Sequence, residues 1–519
     1  MLLCLVLFLP GFFSLPPVDR DESRFAQASR QMLETQDFVD IRFQNEGRHK
    51  KPAGIYWLQS ASAAVFGADR IWAYRLPSLV GAIAAVLLTL ALGNRLFAPP
   101  VGFAAAALLA CSLLLNIEAR QAKTDAMLLA AIMAAQYGLA RLYLQRGKTK
   151  TGGAPFWALW LGIGAGILLK GPIVLLVTGL TALTICVSER RWRWLLASRP
   201  LAGLAVVLVL VLPWGIAFWW SQGDAMLREG LVNDMFNKVA SGQEGHGAPP
   251  GYNLALLTLT FWPGSLLALA AAPAIWSRRG EPAVRFCLAW LVPCWLVFEA
   301  VPTKLPHYVL PLFPAIALLT AAALGAATRR SILARVGRVW WLLVTVPLAI
   351  VPPVLIYLLD GRIDAVAVAG GIAVAGLATI AWRGVRPLLS LGAAAAVLYL
   401  VAFQWTIPRL GPIWLSERMA KAVASIDTTR PIVSIAGYSE PSAVFRLGTA
   451  TRFESGAAAA AALLGGKSAL AIVAVNEEGD FRRRLGQAGR AVVTLDTFGG
   501  LNYSNGRRLM FSLYRLAPT

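Results

Sequence analysis

The sequence predicts an α-helical polytopic membrane protein of about thirteen transmembrane helices, with a small extracytoplasmic α/β domain at the C-terminal end. Three observations carry this prediction. Segments such as Ile83–Leu92 and Leu201–Leu212 hold no charged residue, and about 20 apolar residues suffice to cross a bilayer's hydrocarbon core. Basic residues collect in alternate connecting loops. Beyond residue 407 the long apolar runs give way to short alternating strand-like and helix-like patterns.

Taken in order, the spans fall near 2–16, 74–93, 99–116, 125–144, 155–170, 172–188, 200–220, 254–276, 283–299, 308–327, 339–359, 364–382 and 387–406. The first lacks a basic leading region, and no small-residue cleavage site follows it cleanly, so it reads as a membrane helix rather than a signal peptide. Lys170-Gly171-Pro172 interrupts one long apolar stretch and divides it into the fifth and sixth spans. The composition agrees: 57% of residues are hydrophobic and 14% charged, against roughly a quarter charged in soluble domains. The five cysteines all fall inside predicted spans, where they act as small apolar residues; neither a disulfide framework nor a cysteine metal site is expected.

The formal net charge of +21 does not indicate nucleic acid. Lys and Arg sit mainly in short loops between apolar runs, where positive charge sets membrane orientation. One alternate set of loops carries Arg95; Arg141, Arg146, Lys148 and Lys150; Arg190, Arg191, Arg193 and Arg199; Arg278, Arg279 and Arg285; Arg329, Arg330, Arg335 and Arg338; and Arg383 and Arg386, opposed only by Glu189 and Glu281. These loops are predicted to be cytoplasmic. An odd number of spans then puts the N-terminus inside and the C-terminal domain outside, in the periplasm if the membrane is a bacterial inner membrane.

The other loops are 17–73, 116–124, the Lys170 break, 221–253 and Glu299–His307. They gather all three histidines, His49, His246 and His307, with the acidic cluster Asp19, Asp21 and Glu22 and the carboxylate Asp125. An enzyme working outside the cytoplasm would collect its polar groups in this way. A transporter or lipid flippase would place ionisable residues at mid-membrane and often shows a repeat between halves. Few candidates lie at that depth, and no repeat is visible.

The tail, 408–519, has strand-like runs at Pro431–Ala436, Ala469–Val475, Ala491–Leu495 and Leu509–Leu516, and helix-like runs at Ala457–Leu464 and Glu477–Gln487. That alternation suggests a small α/β domain. Gly499 through Gly506 reads as a turn. No nucleotide-binding glycine fingerprint is present.

The first outer loop is the richest in chemistry. Asp21 and Glu22 stand at the exit of the first span, and Phe25, Ala28, Ser29, Met32 and Leu33 follow at helical spacing. This predicts an amphipathic helix along the membrane surface, in which either carboxylate could instead be a helix cap. Arg48-His49-Lys50-Lys51-Pro52 precedes the aromatic pair Tyr56-Trp57. Such a cluster could bind a lipid phosphate, Lys as a point charge and Arg as a bidentate fork. The plainer reading is a patch for anionic headgroups, with Tyr56 and Trp57 as interface anchors. Asp125 is either a cap with Thr124 or a second acidic group facing the first loop.

The motifs in order are Asp21-Glu22-x-Arg24-Phe25-Ala26, Lys51-Pro52, Ala119-Arg120 with Thr124-Asp125, Leu169-Lys170-Gly171-Pro172, and Lys304-Leu305-Pro306-His307-Tyr308. Their order resembles the lipid A aminoarabinose transferase family, which groups with protein O-mannosyltransferases in the GT-C class of membrane glycosyltransferases. The resemblance runs through nearly the whole chain. It implies a polyprenyl-phosphate-linked sugar donor, a glycolipid or protein acceptor, and no nucleotide sugar. It implies a catalytic carboxylate at Asp21, a supporting Asp125, and a carrier phosphate held by Lys51, with His307 and Tyr308 near the donor. Glu22, Arg24, Arg48, Arg120 and Lys170 complete the candidate substrate-binding set. The sequence departs from the family at Lys50, where a glutamate that ligates metal in some members is usual, and at Phe25, where tyrosine is usual. Both departures bear on the acceptor and on any bound metal. The residue types for a divalent metal site are present in His49, His246, His307 and Glu46, without tight ligand spacing.

Overall fold

The structure, a computed structural model, describes residues 1–146, 153–225, 228, 247–324 and 332–518; of residues 333 and 334 only the backbone is described. The predicted His246 therefore lies outside the described residues, as do Lys148, Lys150, Arg329 and Arg330.

Among the described residues eight helices are long and apolar enough to cross a membrane: Ile71–Leu96, Asp125–Leu144, Gly153–Lys170, Pro200–Gln222, Pro282–Ala300, Arg335–Asp360, Ala365–Arg383 and Pro387–Arg409. The chain is a multi-pass membrane protein. Its outward faces are apolar where a soluble protein would be polar: in Pro200–Gln222, Leu201 is 84% exposed and Trp220 83%. Only lipid makes such a surface favourable. Between helices, small residues allow close approach. A Cβ on Gly138 would come within 2.6 Å of the Leu159 and Pro155 backbone, and one on Gly162 within 2.7 Å of the backbone of Ala131 and Ala135.

The other predicted spans fall on shorter or broken helices, and each break has a cause. The first is helical only over Leu2–Phe8, because Pro10-Gly11 cannot continue it. Backbone freed at membrane depth must be satisfied by protein. Here Gly11 N–H donates to Gln404 Oε1 (2.8 Å), while Arg120 donates to the carbonyls of Leu7 and Pro10. The predicted span 99–116 breaks at Ser112 into Pro99–Cys111 and Leu113–Glu118. The span 254–276 breaks between Thr260 and Ser265. The two breaks face each other, Leu113 N–H donating to the Trp262 carbonyl (2.9 Å). The span 308–327 begins as a 3₁₀ turn, Pro306–Leu312, before the helix Phe313–Ala322. Gly171, at φ +77°, makes the turn between Gly153–Lys170 and Ile173–Glu189.

The first outer loop folds into helix Asp21–Thr35, a short hairpin β1 (Arg42–Phe43) and β2 (Glu46–Gly47), and helix Gly54–Phe66. The predicted surface-lying amphipathic helix is corrected in its setting. Phe25, Ala28 and Met32 pack on Ile55, Tyr56, Trp214 and Phe218. The opposite flank meets the C-terminal domain, with Arg30 Nη1 donating to the Phe445 carbonyl (3.0 Å) and Gln27 Nε2 to Thr449 Oγ1 (2.7 Å). The helix is sandwiched in protein, which is why Gln27, Ser29 and Arg30 are buried along with its apolar side chains.

The C-terminal domain is a mixed sheet of β3 (Val433–Ala436), β4 (Arg452–Glu454), β5 (Leu470–Ala474), β6 (Val492–Asn502) and β7 (Arg507–Leu516), in the order β4-β3-β5-β7-β6. β3 runs parallel to β4 and β5; β7 is antiparallel to β5 and β6. Helices Leu415–Ala424 and Pro441–Leu447 cover one face, and Gly456–Leu464 and Val475–Gln487 the other. The predicted turn at Gly499–Gly506 is shorter than expected. Gly499 to Asn502 stay in strand, pairing with Met510 to Arg507. These glycines serve packing: a Cβ on Gly500 would lie 2.3 Å from the Pro412 carbonyl oxygen.

Candidate active site

The lysine, aspartate and histidine of four separate motifs converge on one cavity of about 610 Å³. Lys51 comes from the first outer loop, Asp125 from the start of Asp125–Leu144, Lys170 from the end of Gly153–Lys170, and His307 and Tyr308 from the 3₁₀ turn. Each polar group sits at a helix end or break. The rest of the cavity is apolar, walled by Leu128, Ile173, Leu176, Val297 and Phe298 among others. Leu175, also on the wall, is 45% exposed, so the cavity is reached from the surface of the bundle.

Asp125 is not a helix cap. Thr124 makes no side-chain cap bond, and the Asp125 carboxylate takes Lys170 Nζ at 2.5 Å. The same ammonium lies 5.5 Å from the centre of the Tyr308 ring. Asp21, the first residue of its helix, is exposed. Its charge acts on Tyr56, Lys123 and His307, and that of Asp125 acts on Lys123 and His307 too. The two carboxylates therefore share a field. Arg48 stacks over Phe25 (5.0 Å to the ring centre) and donates from Nε to Tyr56 Oη (3.3 Å). Phe25 thus supports a guanidinium. Tyr56 is fully buried and stacked on Phe25, so it is no interface anchor. Trp57 is half-buried and donates to the Phe38 carbonyl (2.8 Å).

Two predicted binding residues are committed elsewhere. Glu22 is buried against Arg75, its Oε1 accepting from Arg75 Nε and the Ala122 amide and its Oε2 from Arg75 Nη2 and the Val18 amide, all at 2.8–2.9 Å. It ties the first outer loop to helix Ile71–Leu96 and to the second outer loop. Arg75 in turn donates to the carbonyls of Phe12, Leu15 and Pro16. Arg120 is buried on the broken first span, as described, with Phe403 beneath its guanidinium at 4.4 Å. Glu22 has no lone pair left for a substrate, and the Arg120 guanidinium is committed to the carbonyls of Leu7, Pro10 and Asn116. Arg24 lines a different cavity, between the first outer loop and the C-terminal domain.

Lys123 and Glu118, which lie in the second outer loop with Arg120 and were not predicted as site residues, form a buried pair at 3.0 Å beside Asp125. Burial opposes the Lys123 charge, but Glu118, Asp125 and Asp21 outweigh it and hold the ammonium firmly protonated. Burial pushes the Glu118 carboxyl up. Their spacing carried no distinct signal. Lys304 caps the end of Pro282–Ala300, donating to the carbonyls of Glu299 (2.8 Å) and Val301 (2.6 Å). His49 faces Asp40 (2.9 Å) and packs on Phe218, while His307 lines the cavity. Among the described residues no three His, Cys, Asp or Glu side chains come together to hold a metal ion, so no step is routed through one.

Comparison with known proteins is consistent with this geometry. The family model described as dolichyl-phosphate-mannose-protein mannosyltransferase matches residues 50–219. An undecaprenyl phosphate-alpha-4-amino-4-deoxy-L-arabinose arabinosyl transferase of Pseudomonas paraeruginosa is 31% identical over 329 residues, 62% of this chain and 59% of the relative. One of the same description from Yersinia enterocolitica is 31% identical over 332 residues, 61% and 58% of the two chains. The match thus spans less than two thirds of the curated relatives' length. The solved structure of ArnT from Cupriavidus metallidurans bound to undecaprenyl phosphate superposes with a TM-score of 0.75 at 17% identity, over 98% of this chain and 96% of that one. In sequence the chain is therefore similar to the aminoarabinose transferases, and its fold is the GT-C fold of that class.

Proposed function

We propose that the chain is a membrane glycosyltransferase that takes a sugar from a polyprenyl-phosphate carrier and transfers it to a lipid A, lipopolysaccharide or related cell-envelope glycolipid. The observation that carries this reading is the make-up of the cavity: the cations Lys51 and Lys170 and the carboxylate Asp125 within walls that are otherwise largely apolar, and an exposed wall residue on a membrane helix. A lipid phosphate has that same division, and entry beside that residue would admit it from the bilayer. The arabinosyl transferase relatives and the ArnT complex with undecaprenyl phosphate support the choice of carrier.

In this reading residues 1–407 form the transferase domain and 408–519 the outer domain, both working on the periplasmic face of a bacterial inner membrane. The acceptor oxygen attacks the anomeric carbon, and the bond from that carbon to the carrier phosphate breaks with its electron pair going to phosphate. Lys51 and Lys170 stabilise the charge that develops there, with Asp125 holding Lys170 and with His307 and Tyr308 against the carrier head. Arg48 and Arg24 line the approach to Asp21. Asp21 accepts the proton of an acceptor hydroxyl; with an acceptor phosphate, already ionised, it positions the nucleophile. The family model over residues 50–219 favours a second reading, transfer to protein hydroxyls.

The test is transfer in lipid vesicles from a radiolabelled polyprenyl-phosphate sugar, comparing wild type with Asp21→Asn at equal folded protein. Label attached by wild type and not by the variant supports the reading, and its landing on glycolipid or protein chooses between acceptors. Label crossing the bilayer unattached would establish a flippase instead. Full activity of Asp21→Asn would remove Asp21 from its role.

A further inference from the structure

The outer domain's sheet reverses its winding between β3 and β4. The chain leaves β3 for Pro441–Leu447 on one face and leaves β4 for Gly456–Leu464 on the other. The loops that follow these two adjacent parallel strands therefore diverge and leave a crevice at their ends. A cavity of about 470 Å³ lies there, bounded by Tyr438, Glu440 and Ser455, and by Asn505 and Arg507 of the β6–β7 turn. Gly437, at φ +83°, turns the chain sharply out of β3 at its edge. Through Ser439, Phe453 and Glu454 it adjoins a second cavity of about 830 Å³ whose far wall is the first outer loop, with Arg24, Phe43 and Asn45.

The chemistry of this crevice differs from that of the carrier cavity. Hydroxyls, amides and the rings of Phe43, Phe453 and Tyr438 line it in place of aliphatic side chains. Its charge is partly spent, because Arg452 pairs with Glu454 (2.6 Å); Glu440 accepts from the neutral amide of Asn502 (3.3 Å) and keeps its charge. Among the described residues that line the two cavities, Arg24, Lys467 and Arg507 are left without an ion pair, against the two acids Glu46 and Glu440. Amides, hydroxyls and ring faces suit a saccharide, and the excess of cations suits phosphate on it. Both volumes fall in the range of small-molecule sites, roughly 300–1,000 Å³. Arg24 follows Asp21 by three residues, so the crevice begins one helical turn from that carboxylate.

We propose that this crevice is the acceptor subsite, holding the phosphorylated saccharide headgroup of a glycolipid while its reactive group reaches Asp21. The proposal rests on the transferase reading above and adds where, and by what chemistry, the acceptor is recognised. The carrier occupies the apolar cavity, and the acceptor approaches from the outer-domain side.

The experiment uses the full chain in lipid nanodiscs and a deacylated, bis-phosphorylated glucosamine disaccharide as probe, with binding followed by calorimetry. The variants are the double charge reversal Lys467→Glu with Arg507→Glu, on exposed side chains, and Asn45→Trp, which fills the crevice; thermal melting checks that each is folded. Wild type is expected to bind the probe and both variants to bind it roughly tenfold more weakly or worse. The KM for a glycolipid acceptor rises by a similar factor while that for the donor does not follow. Folded variants that bind the probe as wild type does, with transfer intact, would overturn this assignment and leave the transferase reading standing. Wild type that binds the probe but transfers no sugar to any acceptor would overturn the transferase reading and leave the saccharide site.

Discussion

Glu22→Gln separates a structural carboxylate from a substrate-binding one. In the wild type Glu22 accepts four hydrogen bonds and neutralises Arg75, whose side chain is fully buried. Gln keeps the size but removes the charge, and its amide nitrogen turns a donor toward donors. An ion pair buried to this degree, broken on one side, costs about 3–5 kcal/mol. Much of that cost falls on the local unit that Glu22 fastens, residues 18–22 and 119–122. At about 1.4 kcal/mol per decade, opening of that unit becomes roughly 100- to 3,000-fold more frequent. Hydrogen–deuterium exchange with mass spectrometry reads it directly, because the Val18 and Ala122 amides donate to the lost carboxylate. Transfer should fall with it, since Asp21 adjoins Glu22, and should recover partly on cooling. Exchange at Val18 and Ala122 equal to wild type, with a raised KM for substrate, would refute the structural role and restore Glu22 to the binding set.

Further expectations concern the site and its supports. Lys170→Met removes a charge-assisted contact worth about 1.5–3 kcal/mol, so the KM for the carrier-linked sugar rises roughly 10- to 100-fold in steady-state transfer; an unchanged KM would place the carrier phosphate elsewhere. Burial raises the Asp19 carboxyl from 3.8 to about 6, against hydrogen bonds from Ser442 and Tyr503 that lower it and a nearby Glu440 charge that adds to the rise. A raised acid is stabilising when protonated. Docking of the outer domain on the first loop is therefore strongest below about pH 4 and weakens as pH rises through about 6, by up to about 3 kcal/mol. Asp19→Asn should flatten that dependence in limited proteolysis of the junction between pH 4 and 7. Gly162→Leu forces a side chain into the Ala131–Ala135 backbone; it should cost about 1–3 kcal/mol or more, seen as a lower melting temperature in detergent, whereas Gly179→Leu, with open space around it, should be near neutral.

Much of this architecture was legible because hydropathy and loop charge are local properties. A run such as Leu201–Leu212 declares itself, and the outward exposure of Leu201 and Trp220 bears out that it faces lipid. The convergence of Lys51, Asp125, Lys170, His307 and Tyr308 was foreshadowed by motif order together with a common membrane face. What stayed hidden depends on partners distant in the chain. Nothing near Arg120 says that its donors are owed to the carbonyls of Leu7 and Pro10, more than a hundred residues earlier. Nor does Glu22 announce Arg75, 53 residues on. The breaks at Ser112 and near Trp262 each look unfavourable alone and become tolerable only against each other. The short strand β4 has only three residues and no alternation long enough to read. Gly499-Gly500 looked like a turn because close packing and tight turning both select glycine.

The clasp between residues 19–20 and 503–504 bears on the order in which the protein folds. Asp19 N–H donates to Tyr503 Oη (2.7 Å), and Arg20 Nη2 donates to the Ser504 carbonyl (2.6 Å), each across 484 positions. Residues 19 and 20 thus emerge long before residues 503 and 504, which fasten them. A nascent chain can form its helices as they emerge, yet the segment that leads into helix Asp21–Thr35 stays unfastened until the β6–β7 turn has been made and has folded. A chain that stops before residue 503 would lack both contacts and leave the segment that leads into Asp21 unclasped.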